Sequence, residues 1–549
     1  MKNNYWFFFI YFAISFLVVG FSQPAWNGFF GFFAACLGYL LFWFSISKFK
    51  SNYRKSLTAF FWFFIVGAIQ LSWMTSTKYQ GNLILLVYFS LLFLFALQFA
   101  LISYLALKDQ KITFLKIFFI ASIWTIFEWS RLFILCGFTF NQSGLSYANN
   151  FYSLQLAAVV GIYGLSFYVI FLNLIGLKAI FERSLSILAL WGVLAIFPYL
   201  YGYYHITTNE NKFTKSKNID VCLVQTALLP EQKILTKNYF ENYISPFEQW
   251  VNIVKLINKC DFKKVDLIVF PEVCVPYSAH DCFYPFDSVK KMFESKFGRD
   301  VLSKLPSLKA PLAENRNNVW YVSNSYFAKS LANIYNSDIA IGLEDFDEES
   351  NKVYNAAFWF CREKDSFKRY EKQVLVPIAE YIPFSWLAKI ALEKYGIASS
   401  FSPGKESKIF SKKRYSFSIC YEETFPEIMR KARLKGAKCF VNLTNDAYFY
   451  KSKLSRQHFD HSKMRAVENG IPLIRACNTG VTAAIDSFGR TLASIDSEEE
   501  AKAVFIKLPM FSYHTPYSLW GDKFILGLSS CAILVYFLRF KKKSITKDS

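Results

Sequence analysis

Between Asn3 and Ser47 the chain carries no charged residue. Only a Ser22-Gln-Pro-Ala-Trp26 turn interrupts this stretch, leaving apolar runs near 5–21 and 26–46. Further runs follow near 57–75, 83–107, 117–136, 154–177 and 185–203, and an eighth near 521–540. A helix needs about 20 residues to cross the hydrocarbon layer. Soluble cores do not supply seven such runs in the first ~200 residues, so the pattern predicts eight transmembrane helices. A cleaved signal peptide is the other reading of 5–21 alone. No small-residue cleavage pattern follows it, and the next run begins within a few residues. Composition agrees: 53% of the 549 residues are hydrophobic and 19% are charged, against about 25% charged in an ordinary soluble domain. That excludes a disordered chain. The net charge of +21 suits nucleic acid or an anionic membrane surface. The hydrophobicity favours the membrane, and no nucleic-acid partner is expected.

Lysine and arginine orient the helices. Alternate connections carry Lys48, Lys50, Arg54 and Lys55, then Lys108, Lys111 and Lys116, then Lys178 and Arg183, and the tail carries Arg539 and Lys541-Lys-Lys543. The opposite connections, 22–25, 76–82 and 137–153, hold only Lys78. The positive-inside rule makes the first set cytoplasmic. The expected division is a bundle of seven helices over 1–203, an extracytoplasmic domain over 204–520, and a last helix with a basic tail over 521–549. Both termini are then cytoplasmic.

Segment 204–520 reads as a different material, mixed in pattern and richer in acids and prolines. Short β-rich runs recur at Asp220–Thr226, Val265–Phe270, Val319–Asn324, Ile339–Leu343, Ala356–Cys361, Tyr415–Cys420, Cys439–Thr444 and Val481–Asp486. Helical patterns sit between some of them, near 240–259, 424–435 and 457–469. Strands interleaved with helices predict an α/β layered domain.

Eight of the 11 cysteines lie in this segment, without a regular spacing or a Cys-x-x-Cys pair. Cys274 and Cys282 could bridge in an oxidising compartment, but most such residues are small buried hydrophobes. His458-Phe-Asp460-His461 permits metal ligation by spacing, yet no third ligand is evident, so no metal is expected. The absence of a Walker loop, a Gly-x-Gly-x-x-Gly turn and a Gly-x-Ser-x-Gly elbow leaves nucleotide cofactors and serine hydrolases without support, and no cofactor is expected.

Three places carry chemistry. In Val265-Asp-Leu-Ile-Val-Phe-Pro-Glu272 a buried-type strand ends in proline and then an acid, and strand ends of α/β sheets are where sites collect. In Tyr370-Glu-Lys372-Gln-Val-Leu-Val-Pro-Ile-Ala-Glu380-Tyr-Ile-Pro383 a lysine and a glutamate flank an apolar stretch. In Tyr415-Ser-Phe-Ser-Ile-Cys420-Tyr-Glu422 a strand delivers a cysteine followed by a carboxylate. Each alone has a bland reading: a solvated loop acid, a surface lysine, a packed thiol. Together they form a nucleophile, a base and a cation for an oxyanion.

These three motifs, in this order, make the segment resemble the carbon–nitrogen hydrolase (nitrilase) superfamily. The whole chain resembles the apolipoprotein N-acyltransferase family, which joins that domain to membrane helices. Asn442-Leu-Thr-Asn-Asp446, Arg475-Ala-Cys-Asn-Thr-Gly-Val-Thr482, and Trp124, Glu128, Arg131, Gly137-Phe138, Gln155 and Gly161-Ile-Tyr-Gly164 add to it. The resemblance implies a nitrilase-like α-β-β-α sandwich. It also implies Glu272 as general base, Lys372 as oxyanion cation and Cys420 as acyl-carrying nucleophile, with Glu380, Tyr421 and Glu422 in support. It implies a glycerophospholipid donor, a diacylglyceryl-modified apolipoprotein acceptor, and a place in the bacterial inner membrane with the domain on the periplasmic side. Departures lie in loops: Gly137-Phe-Thr-Phe140 replaces Gly-Phe-Pro-Trp, and Asn445-Asp-Ala-Tyr448-Phe-Tyr450 replaces Asn-Asp-Ala-Trp-Phe-Gly. The tryptophan expected soon after Gln225 is missing. The rival readings are a membrane-tethered amidase of the same superfamily, and a transporter or receptor with an inactive hydrolase-like domain. Eight helices exceed what a tether needs, and an intact triad speaks against an inactive domain.

Overall fold

A computed structural model describes residues 3–545, except 110, 135, 234–241, 263, 365, 378, 383–388, 390–400 and 496. Ile378 and Pro383 of the second motif, and the first two residues of the helical pattern at 240–259, therefore lie outside the described residues. The chain forms two compact units. One comprises Met1–Asn211, Ser452–Gly470 and Tyr513–Ser549; the other comprises Lys212–Lys451 and Ile471–Ser512.

The first unit is helical. Each apolar run contains a helix: Asn3–Gly20, Gly28–Ile46, Asn52–Gln70, Leu83–Leu107, Phe114–Ser130, Ala157–Glu182, Leu185–Thr214 and Lys523–Ile545. Among the described residues, four are long and apolar enough to cross a membrane: Gly28–Ile46, Leu83–Leu107, Ala157–Glu182 and Leu185–Thr214. Phe114–Ser130 is shorter than its apolar run because the chain turns into a 3-10 segment at Arg131–Phe133. Helix Leu83–Leu107 buries Leu92, Phe95, Phe99 and Ile102 on one face and exposes Leu86, Phe89, Phe93 and Leu97 on the other. A helix apolar all round is built for lipid or a large core. Glu128 and Arg131, one turn apart, are both buried and each has its own partners. Glu128 Oε1 accepts from the Ser143 N–H (2.8 Å) and hydroxyl (2.9 Å). Arg131 donates to Gln98 (3.2 Å) and lies 3.9 Å over the Phe95 ring.

Helix Leu454–Asn469 clusters with this unit. Its Gln457 accepts from the Trp73 indole (2.9 Å) and donates to the carbonyls of Gln23 (2.7 Å) and Gln70 (2.6 Å). Helix Ala157–Glu182 breaks at Gly161 (φ 66°) under the Tyr517 ring, where a Cβ would stand 2.2 Å from Tyr517 Cε2. The Ile162 N–H beside the break is taken by Glu468 Oε1 at 2.8 Å, so a buried backbone donor is not left unmade.

The second unit is built on strands. Its first part supplies β1 (Asn218–Gln225), β2 (Leu267–Val269), β3 (Tyr284–Pro285), β4 (Ala313–Arg316), β5 (Val319–Val322), β6 (Asp338–Asp347), β7 (Lys352–Phe360) and β8 (Phe367–Glu371). Its second part supplies β9 (Ile409–Phe410), β10 (Tyr415–Ile419), β11 (Cys439–Thr444), β12 (Leu473–Cys477), β13 (Thr482–Ile485), β14 (Thr491–Ile495) and β15 (Lys502–Pro509). One sheet runs β15-β1-β2-β6-β7-β8 and a second runs β14-β13-β12-β11-β10-β9. The central strands of each are parallel and the edges antiparallel.

Side-chain alternation explains the layering. Leu223, Val269 and Ala340 face inward, against Phe417, Ile419, Val441 and Leu443 of the second sheet. Their neighbours Val224, Ile268 and Ile341 face outward, against Trp250, Ile253 and Ile257 of helix Pro246–Lys259 and Phe327 and Leu331 of helix Asn324–Ile334. Helix Pro426–Leu434 joins parallel β10 to β11. The inner face is filled, so the crossover must lie outside. The order helix, sheet, sheet, helix is the nitrilase-like sandwich. Val319–Asn324 departs from the sequence reading: its strand belongs to a small β3-β5-β4 sheet, and Ser323 caps the following helix by accepting from the Tyr326 N–H.

Candidate active site

Glu272 is carried by the turn after β2. That turn continues alongside β6: the Phe270 N–H donates to Ala340 O (2.8 Å), Gly342 N–H to Pro271 O (3.1 Å) and Cys274 N–H to Gly342 O (2.8 Å). Only a glycine permits this approach, because a Cβ at Gly342 would stand 2.6 Å from Glu272 Cα and 2.7 Å from Pro271 O. The buried Lys233 ammonium holds the Val273 carbonyl from the other side (2.7 Å).

Lys372 follows β8 and is 1% exposed. Its ammonium donates to Glu272 Oε1 (3.1 Å) and Glu380 Oε1 (2.8 Å), and its N–H is fixed by the Asn355 carbonyl of β7 (2.9 Å). Asn355 also donates through Nδ2 to both carboxylates, Glu272 Oε1 (2.7 Å) and Glu380 Oε1 (2.9 Å). The second oxygen of Glu380 accepts from the Val376 N–H (2.8 Å). Two acids, a lysine and an asparagine thus form one buried polar cluster.

Cys420 stands at the end of β10 with φ 51°, opening the 3-10 turn Cys420–Thr424. Its carbonyl accepts from Asn442 Nδ2 (3.2 Å). A left-handed φ is rare for a residue with a Cβ and marks backbone held by its surroundings. Burial pushes the thiol well above its ordinary value. The charges of Glu272 and Asp446 add to this, while Lys372 and a hydrogen bond from the Asn445 backbone oppose it. The resting sulfur is therefore a thiol that needs a base. Burial also raises Glu272, with Glu380 adding and Lys372 and Asn355 opposing. For Lys372 burial works downward, but Glu272, Glu380 and Cys420 outweigh it and hold the ammonium well above its usual range.

Glu422 braces the site. Its carboxylate accepts from the backbone N–H groups of Ile419 (2.7 Å), Gln373 and Val374 (3.2 Å) and from the Tyr370 hydroxyl (2.9 Å). It therefore ties the segment after Lys372 to the strand end before Cys420. Burial raises it to about 7. Tyr421 packs its ring edge-on to Phe425, with centroids 5.0 Å apart. Below the turn, Glu423 pairs with Arg475 at 2.7 Å.

The structure thus joins Glu272, Lys372 and Glu380 in direct contact and gives Cys420 a thiol that senses the charges of Glu272 and Lys372. Asn355 was not singled out in the sequence, and Tyr370 and Asn442 stood there only as members of motifs, with no role given. Asn355 lies one residue before a run read only as a strand, and both its acidic partners are remote in the chain. His458 and His461 lie on helix Leu454–Asn469 with their rings edge-on to Phe140. Cys274 and Cys282 keep separate surroundings: Cys274 is buried near Lys233, while Cys282 points toward the His280 carbonyl (3.5 Å).

Residues 243–508 match the Carbon-nitrogen hydrolase family, and residues 15–175 match the Apolipoprotein N-acyltransferase N-terminal domain. The chain is 31% identical over 547 residues to an apolipoprotein N-acyltransferase of Chlamydia pneumoniae, covering 95% of each chain. It is 25% identical over 460 residues to one of Geobacter metallireducens, covering 81% of this chain and 78% of that relative. A solved structure from Saccharomyces cerevisiae, a member of branch 10 of the nitrilase superfamily, aligns at 17% identity and TM-score 0.35, covering 55% of this chain and 93% of its own.

Proposed function

The chain belongs to the apolipoprotein N-acyltransferase family, and from that premise we propose how its residues perform acyl transfer in lipoprotein maturation. It is a membrane acyltransferase whose donor is a lipid and whose acceptor is a lipoprotein. The donor is a glycerophospholipid, and the acceptor is the α-amino group of an N-terminal diacylglyceryl-cysteine. Cys420 carries the acyl group between them.

In the first half, the Cys420 sulfur attacks the donor's ester carbonyl while Glu272 takes the thiol proton. The Lys372 ammonium stands beside the oxyanion that forms. Collapse expels the lysolipid alkoxide, which recovers the proton from Glu272, and leaves a thioester. In the second half, the acceptor amine attacks the thioester, Glu272 takes an amine proton, and the departing Cys420 sulfur is reprotonated. Glu380 and Asn355 hold Lys372 and Glu272 in register, and Glu422 fixes the two backbone segments that present Lys372 and Cys420. Tyr421 supports the turn through Phe425.

One observation carries this reading: Lys372 Nζ lies 3.1 Å from Glu272 Oε1, and both charges act on the Cys420 thiol. A base and a cation in contact with each other, whose charges both bear on one thiol, are the set that acyl transfer through a nucleophile needs.

The charged connections support eight crossings, with both termini cytoplasmic and residues 204–520 on the periplasmic face of the inner membrane. Helices stand at all eight apolar runs, which fits that count. A single tether would serve an amidase, so the bundle favours two membrane-bound substrates.

The test is a half-reaction. Enzyme given labelled phospholipid and no acceptor should release about one lysolipid per active site and then stop. Addition of a diacylglyceryl-cysteine peptide should restart turnover with ping-pong kinetics. Steady hydrolysis without any acceptor would replace the transferase reading with the amidase one.

A further inference from the structure

Two cysteines outside the site stand together. Cys222 lies on β1, fully buried, and pairs across the ladder with Phe505 of β15. Paired residues share one face of a sheet. That face carries helix Pro246–Lys259, whose C-terminal cap is Cys260. Cys260 packs, half-buried, on the same core that contains Cys222. Phe262, two residues beyond Cys260, stacks on the Phe505 ring at 6.2 Å. Ladder, cap and ring stack thus place the two cysteines side by side on one face of the same core, and the two thiols act on each other, Cys222 being raised and Cys260 lowered.

We propose that Cys222 and Cys260 form a structural disulfide in the mature enzyme, made by a disulfide-bearing oxidant of the extracytoplasmic compartment. This rests on the placement of residues 204–520 outside the cytoplasm. Cys260 reacts first, because it is half-exposed while Cys222 is buried, and because the hydrogen bond from Cys222 lowers its thiol below the ordinary range. Its thiolate attacks one sulfur of the oxidant, forming a mixed disulfide and releasing one thiol. Cys222 then attacks the Cys260 sulfur, forms the intramolecular bond and releases the second thiol. The protein loses two hydrogens and the oxidant disulfide becomes two thiols, so electrons balance.

The bond would clamp helix Pro246–Lys259 to β1 and close the chain between them. That closed segment carries Lys233, which holds the Val273 carbonyl beside Glu272. Cross-linking stabilises by restricting the unfolded chain. Cys222 and Cys260 have no part in the acyl chemistry, so their loss should spare the acyl-enzyme.

The full-length enzyme should be denatured from cells directly into an alkylating agent without reductant, digested, and mapped by mass spectrometry. The expected result is a Cys222–Cys260 linked peptide, absent in Cys260→Ser, whose Cys222 becomes alkylated. Reductant should lower the thermal midpoint of wild type and leave that of Cys260→Ser unmoved. A Ser303→Cys variant, labelled in spheroplasts by an impermeant maleimide, reports the side of the membrane in parallel; Ser303 is exposed. Both thiols alkylated while Ser303→Cys is labelled overturns the disulfide and leaves the topology standing. Ser303→Cys unlabelled until lysis overturns the topology, and the disulfide with it. Reduced purified enzyme treated with oxidised glutathione should also give the linked peptide, and failure there overturns the pairing itself.

Discussion

Glu272 and Cys420 stand where runs that read as β-rich stop, whereas Lys372 follows β8, which did not read so, and is marked instead by the apolar stretch it flanks with Glu380. Strand ends of layered α/β folds present side chains to a shared edge, so sequence order alone suggested a meeting. Asn355 was not legible. It lies within β7, and its partners Glu272 and Glu380 are 83 and 25 residues away; nothing local distinguishes it from another strand residue. Its role makes it a sharp test. Asn355 donates to the ionised form of Glu272, and removing that bond raises the carboxyl further. Asn355→Ala should therefore move the acid limb of the pH–rate profile upward by about one pH unit. An unmoved limb would remove Asn355 from the base's environment. Lys372→Ala should cost ~10²–10³ in acylation rate, and Lys372→Arg should restore little, since a planar guanidinium does not replace a compact ammonium between two carboxylates. Stopped-flow release of lysolipid measures both. Glu422 makes a pH prediction about stability. Its folded value of about 7 lies above the ordinary 4.5, so the folded protein binds this proton more tightly than the unfolded chain. The stability it contributes is full below about pH 4.5 and falls as pH rises toward 7. Glu422→Gln lacks this titration. Its deficit in thermal midpoint should be largest below pH 4.5 and shrink toward pH 7. A constant deficit would mean Glu422 does not titrate as described.

At the scale of elements, the eight β-rich runs all contain strands because alternating inward and outward apolar residues are a period-2 signal. Two of the missed strands, β8 and β15, lack that signal. β8 is Phe367-Lys-Arg-Tyr-Glu371, with only Tyr370 buried, and β15 presents partly exposed residues along much of an edge. Their pairing comes from neighbours rather than from their own pattern. The hairpin of β6 and β7 mattered most for the site, since its register sets Gly342 opposite Ala357 and Asn355 opposite Glu344. Gly342 lets the Glu272 turn lie against β6. In Gly342→Ala the new Cβ meets backbone atoms at 2.6–2.8 Å, which rotamer changes cannot relieve. The variant should lose ~1–3 kcal/mol together with most acylation, seen as a lower thermal midpoint and a smaller lysolipid burst. A variant of wild-type stability and burst would show that the close approach is not needed.

At the scale of the whole molecule, hydropathy marked eight apolar runs at which helices stand, but not the lengths of those helices. Charge and turns shorten some helices, as at Arg131–Phe133, and among the described residues four meet the length and apolarity of a crossing on their own. The layout of the connections remains the argument for eight. A reporter active only in the cytoplasm, fused after residue 300, should give no signal, and a strong signal would overturn the count. The sequence also did not reveal that Leu454–Asn469, flanked by strands of the sandwich, clusters with the helical unit. Its contacts, such as Gln457 with Trp73, join residues 384 apart, and the helix is polar enough to read as an ordinary surface element. The central claim is that Cys420 carries the acyl group. Intact-protein and peptide mass spectrometry after exposure to phospholipid tests it most directly. One acyl adduct per chain is predicted, on the peptide containing Cys420, labile to hydroxylamine and absent in Cys420→Ala. A thiol-labile adduct that persists in Cys420→Ala, or that maps to Cys439 or Cys477, would contradict it.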